Sequence, residues 1–213
     1  MTETRTAPSR GTLLAEEGDQ RFDLRRHEPS EDLAFFVERH WIVEWDADGG
    51  PPAPCETSTY PCVNVVFEPS GALAYGVNTR LLCGDLPAAG RCVATQFRAA
   101  GFQPFSRTHM SDLTGRVVPL GEIFQMPDPV PDVLGAANDR AAVGMVEAVL
   151  RAQTPARDPN VDLVNRMVAE IVDGHLTTVE AVASRFDTTP RKLERLFARY
   201  VGVSPTAYLR EVE

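Results

Sequence analysis

The chain lacks any apolar run of the ~18 residues that a membrane helix requires. Its first residues, MTETRTAPSR, lack the apolar core of a secretory signal. These absences lead us to expect a cytoplasmic protein. Lysine is nearly missing, since 20 of the 21 basic residues are arginine and Lys192 is the other. Such a bias fits a GC-rich genome, and it favours planar, bidentate contacts wherever arginine is used. The four cysteines, Cys55, Cys62, Cys83 and Cys92, form no C-x-x-C spacing. The plain expectation is reduced thiols buried as small hydrophobes, with a redox pair of Cys55 and Cys62 as the alternative. The sequence has no G-x-S-x-G, no phosphate-binding glycine loop and no H-E-x-x-H. His27, His40, His109 and His175 are scattered, without H-x-H spacing, and only His40 and His109 suggest a facing pair. We therefore expect neither an enzyme nor a metal or cofactor site.

What is present is ordinary globular composition, with 43% apolar and 24% charged residues over 213 positions. Formal net charge is −9, so a surface that grips nucleic acid over its whole extent is excluded. Positive charge is local. Residues 178–210 carry six basic and three acidic side chains.

Read along the chain, residues 1–20 are polar and expected to fray. Ser30 can cap a short helix. From Val37 to Trp45, Val37, Trp41, Val43 and Trp45 alternate with Glu38, His40 and Glu44, which predicts a half-buried strand. The segment Asp48–Pro54 is a loop. Strand-like runs follow at Cys62–Glu68, Ala72–Val77 and Arg91–Arg98, with a turn at Pro69–Gly71. Short strands joined by turns predict an antiparallel β-rich unit over 21–110. Residues 111–157 read as a helical connector, with short helices broken near Pro119, a breaker at Asp128–Pro131 and a helix over 138–152. Glu122, Asp128 and Asp132 read as loop or cap residues.

From 158 to 213 the punctuation is sharper. Asp158 caps a helix with Pro159 at its first position and Gly174 at its end. Thr177 and Glu180 fit a capping box. A break at Asp187-Thr188 leads to a second helix capped by Thr189, with Leu193, Leu196, Phe197, Tyr200 and Val201 on its apolar face. Gly202 stops it, and Ser204-Pro205 starts another. Two short helices, 178–186 and 190–201, across a tight turn form a helix-turn-helix, with Ala183 allowing close approach. Arg191, Arg195 and Arg199, spaced by four, share one face with Lys192 beside them. A helix packed on one side and cationic on the other suits the DNA major groove.

The run Val179–Pro205, VEAVASRFDTTPRKLERLFARYVGVSP, resembles the first helix-turn-helix of the AraC-type transcription regulators. Its tail, RKLERLFARYVGVSP, is the most specific part. The resemblance implies that Arg191, Lys192, Arg195 and Arg199 contact promoter DNA, with Thr189 near the phosphates. The segments FVERHWIVEWD, PCVNVVFEP, YGV and FRAAGFQPF are similar, more loosely, to an effector-sensing domain of actinobacterial AraC-type regulators. That likeness implies a cupin-like N-terminal unit that binds a small effector or mediates dimerisation, and contact with RNA polymerase. The family carries two helix-turn-helix units, whereas this sequence holds the first and the start of a connecting helix, so we expect weakened DNA affinity.

The expected fold class is thus α+β, with a β-rich cupin-like domain, a helical connector and half of a DNA-binding domain. An apolar effector pocket is expected from Trp41, Trp45, Phe97, Phe102 and Phe105, with Cys62 and Asn64 as polar contacts. The alternative function is a stand-alone small-molecule binder whose helical tail serves dimerisation.

Overall fold

The computed structural model describes residues 22–46, 61–77 and 89–212. The expected frayed N-terminus, the Asp48–Pro54 loop, Cys55 and Cys83 lie outside them. The fold is α+β. Among the described residues six antiparallel strands, β1 (Phe22–His27), β2 (Val37–Asp46), β3 (Asn64–Glu68), β4 (Gly71–Tyr75), β5 (Ala89–Phe97) and β6 (Val117–Pro119), form one sheet in the order β1-β2-β5-β3-β4-β6. Seven helices follow: α1 (Leu120–Phe124), α2 (Val130–Leu134), α3 (Asp139–Ala152), α4 (Pro159–Val172), α5 (Val179–Arg185), α6 (Pro190–Tyr200) and α7 (Pro205–Val212).

The Pro69–Gly71 turn joins β3 to β4 as expected, with Glu68 paired to Gly71. The expected half-buried β2 is instead buried on both faces. Ile42 and His40 are fully covered, and so are Trp41, Val43 and Trp45 to within a few per cent. The alternation that suggested a polar face is broken by a β-bulge. Val37 pairs with Phe97 while Arg39 pairs with Gln96, so one extra residue, Glu38, enters β2. A one-residue slip moves side chains to the opposite face. Val37 therefore joins Ile42 in one apolar layer, and Trp41 faces the other.

The first layer, with Ile42, Val65, Phe67, Val93 and Phe97, packs against Leu120, Phe124, Val133, Val146 and Leu150. The 111–157 segment is therefore no bare connector. It supplies β6, which the sequence reading took for helix, and three helices that cover a sheet face. The Asp128–Pro131 breaker also needs correcting, because α2 begins inside it: a proline lacks only an amide that the first helical turn leaves unbonded anyway. The 138–152 helix forms as read, capped by the Asn138 side chain.

Ser30 caps no helix. Residues 31–36 form successive turns, and the Ser30 hydroxyl and amide both donate to the buried Glu147 of α3. His40 completes this link between sheet and helix. Its Nδ1 lies 2.8 Å from Thr95 Oγ1, and its Nε2 lies 3.4 Å from Glu147 Oε1. Burial pushes the imidazole below its ordinary value, against the pull of Glu147. Burial also pushes Glu147 up, but the Ser30 hydrogen bonds, His40 and Arg151 outweigh it and hold the carboxyl low.

A second joint ties the sheet unit to the last helices. Gly202, at φ +103°, follows α6, and a Cβ there would lie 2.8 Å from Thr114 Oγ1 and 2.9 Å from the Met110 carbonyl oxygen. Thr114 Oγ1 in turn donates to the Gly202 carbonyl at 2.6 Å.

Two outcomes follow from these contacts. Gly202→Ala combines a disfavoured φ with a steric clash and should cost about 2 kcal/mol or more, read as a lower urea midpoint. An imidazole held below its ordinary 6.5 takes up its proton at lower pH in the fold than in the unfolded chain, so stability falls as pH drops through 6.5. Urea midpoints between about pH 7 and about pH 5 should decline less steeply in His40→Asn than in the parent.

Candidate nucleic-acid interface and interdomain cavity

Helix α4 starts where the sequence places it. Asp158 accepts the Asn160 amide with Oδ1 at 2.8 Å, and its Oδ2 accepts the Tyr200 hydroxyl of α6 at 2.5 Å. One carboxylate therefore caps α4 and anchors α6. Burial works against its charge, but the Tyr200 and Asn160 hydrogen bonds keep it low, and burial beside Asp158 pushes the Tyr200 phenol up. Arg185 of α5 meets Glu170 of α4 through two nitrogens, at 3.0 Å and 2.8 Å.

The capping box shifts by one residue. Thr178, not Thr177, caps α5 by accepting the Ala181 amide, so Glu180 does not stand at the third helical position. Two adjacent threonines offer the same hydroxyl. The choice falls to the chain leaving α4, whose Leu176 packs into the helical core. The turn into α6 carries Asp187 at φ +47°, and the Thr188 amide donates to the Ala183 carbonyl at 2.9 Å. Thr189 Oγ1 then accepts the Lys192 amide. Two short helices across a four-residue turn result, as read.

On α6, Leu193, Leu196, Phe197 and Tyr200 are buried. Thr189, Arg191, Lys192, Arg195 and Arg199 are all exposed. Among the described residues no ion pair engages Arg191, Lys192 or Arg195, while Arg199 lies over the Tyr200 ring at 5.4 Å. Beside this face runs a groove of about 490 Å³ to which Lys192, Arg195, Arg199, Asn160 and His109 contribute. His109 borders α6 and does not face His40, which is buried against Thr95 and Glu147. The suggested histidine pair is not formed, and among the described residues no cluster of three or more metal-ligating side chains occurs.

The expected pocket residues do not converge either. Trp41 and Trp45 belong to the layer with Val43, Val66, Tyr75, Cys92 and Ala94. Phe97 and Phe102 meet edge-to-face at 4.9 Å in the layer beneath α1–α3, joined by Phe105. The sheet separates the two sets. Sequence spacing missed this because the β2 bulge changes which side each residue occupies.

Cys62 and Asn64 are buried together. The Asn64 and Gln96 side-chain amides each donate to Cys62 Sγ at 3.7 Å. Burial pushes the Cys62 thiol up to about 11, so it stays protonated at neutral pH and is a poor nucleophile. Cys62 lies at the wall of a cavity of about 220 Å³ between the sheet and the helices α4 and α7. Phe97 is the other expected pocket residue that lines it. Val168, Val172 and Tyr208 close it from the helical side. The sequence reading missed these three because they carry the apolar periodicity of ordinary core.

A family model described as "Domain of unknown function (DUF6597)" matches residues 25–119, which run from within β1 to the last residue of β6. No curated protein and no solved structure matches the chain. No helix among the described residues is long and apolar enough to cross a membrane.

Tyr200→Phe removes the α6–α4 hydrogen bond to a charged acceptor and should lower unfolding stability by about 1.5–3 kcal/mol, measured by urea titration.

Proposed function

We propose that this protein is a DNA-binding transcription regulator of AraC type, cytoplasmic, with α6 as its reading helix. The single observation that carries the reading is the solvent-facing set Arg191, Lys192, Arg195 and Arg199 on a helix whose other side is locked into a helix-turn-helix core. Arg25, Arg91, Arg98, Arg151, Arg166 and Arg185 are engaged by carboxylates, and what sets α6 apart is the grouping of its cations on one helix face. Unpaired cations cost least where water or phosphate meets them. Arginine forks can read guanine edges, and the remaining charges can hold the backbone. The net charge of −9 confines contact to this face. The groove beside α6 supports the same reading, since Asn160 adds a neutral donor next to three cations. In this reading the sheet unit senses a small effector or pairs two copies, and promoter-bound protein contacts RNA polymerase.

The cavity beside Cys62 favours a second reading, a stand-alone small-molecule binder with no DNA partner. Fluorescence anisotropy on a labelled mixed-sequence duplex, at several salt concentrations, separates the two. The regulator reading expects salt-dependent binding whose log–log slope shrinks by about 0.9 for each phosphate contact removed, so Arg195→Ala both weakens binding and flattens the slope. Unchanged affinity and slope in Arg191→Ala/Lys192→Ala/Arg195→Ala/Arg199→Ala, with circular dichroism like the parent, would overturn it.

A further inference from the structure

We propose that the cavity between the sheet and helices α4 and α7 is a binding site for a small amphipathic carboxylate, an aromatic or branched-chain acid. Its volume of about 220 Å³ equals that of roughly seven liquid waters, which suits an acid on the order of ten heavy atoms.

One side is apolar. Phe97 of β5 faces Val168 and Val172 of α4 and Tyr208 of α7 across it, enough hydrocarbon to hold a ring or a branched chain. The other side carries Arg39, Arg98 and Glu38, two cations for one anion. Glu38 is engaged mainly by Arg98, at 3.2 Å, while Arg39 Nη2 lies 3.8 Å from it. The Arg39 side chain is 21% exposed, and its 3.8 Å contact to Glu38 is too long for a hydrogen bond. A guanidinium is best satisfied by a planar carboxylate, and among the described residues Arg39 has only this long acidic contact while lining the cavity. An uncharged ligand leaves the excess positive charge unmatched, and a cationic one is repelled by it. The Cys62 thiol, protonated and already accepting two amides, adds a soft, unreactive wall, so binding is non-covalent.

The β2 bulge creates this arrangement. By inserting Glu38 it resets β2 so that Arg39 pairs opposite Gln96, next to Cys62. Because the walls come from β2, β5, α4 and α7, an occupant touches the sheet and the helical unit together. That feature deepens the effector-sensing part of the proposed regulator and rests on it for its regulatory meaning. The binding itself needs no DNA.

The test uses the full chain. Benzoate, phenylacetate and 3-methylbutanoate are titrated by calorimetry and thermal shift beside their primary amides. At least one acid should bind and raise the melting midpoint, and its amide should not. Arg39→Gln should weaken that acid by about tenfold or more, Arg39→Lys should restore part of the loss, and Arg107→Gln, away from the cavity, should bind like the parent. The proposal is overturned if no acid binds at millimolar concentration, if amides bind as well as acids, or if Arg39→Gln, folded by circular dichroism, binds the acid unchanged. Duplex anisotropy on the same preparation keeps the two ideas apart. Acid binding without DNA binding retains the site and removes the regulator, and the reverse result removes the site alone.

Discussion

Helix α4 is held against the end of the sheet, and most of what is distinctive here depends on that contact. Phe35, Val77, Ala99 and Ala100 come from the sheet unit, yet they pack with Val164, Val168, Leu193, Phe197 and Tyr208. The Ala100 amide donates to Asn165 Oδ1 of α4 at 3.0 Å, which satisfies a backbone group that burial would otherwise penalise. At the far end the Thr114–Gly202 hydrogen bond fixes the exit of α6. The apolar surface of α4 to α7 is thus closed partly by residues of another unit. Separating the two would expose that surface to water, at about 25 cal/mol for each Å². The helix-turn-helix and the sheet unit therefore share one apolar contact. Helix α4 is tied to α5 by the Arg185–Glu170 pair and to α6 by the Asp158–Tyr200 hydrogen bond.

Within the sheet unit the ruling constraint is burial on both faces. A sheet covered on two sides needs apolar residues at successive positions, and polar ones survive only with partners. His40 survives beside Thr95 and Glu147, Glu147 beside Ser30, and Asp139 among Arg25, His27 and Arg91. These clusters join β1, β2 and β5 to α3, so the polar residues set the docking of the helix that apolar packing then tightens. Trp45 shows the same economy of space, since its indole lies where a Cβ on its cross-strand partner Gly90 would be.

Legibility followed the range of the interactions. The helical third was readable almost residue by residue: Asp158, Thr189, Gly174 and Gly202 act within a few positions of themselves, through caps and left-handed ends. The exposed cations of α6 were readable for the same reason, since a spacing of four puts side chains on one face regardless of the fold. The strands β2 to β5 were found by composition and turns, but β1 and β6 were not. Each is an edge strand with a single neighbour, and Val117–Pro119 is too short to show a period.

The sequence by itself determined the order of strands before helices, the caps of α4 and α6, the helix-turn-helix and the side of α6 that carries charge, because all of these arise from contacts close along the chain. Only the tertiary structure decided that the tryptophans and Phe97 lie on opposite sides of the sheet, that His40 meets Glu147 and not His109, and that Arg39, Cys62 and Tyr208 border one cavity. Those outcomes depend on strand register and on helix docking across dozens of residues. A single bulge reverses the first, and the second is fixed by apolar surface that no local pattern assigns to a partner.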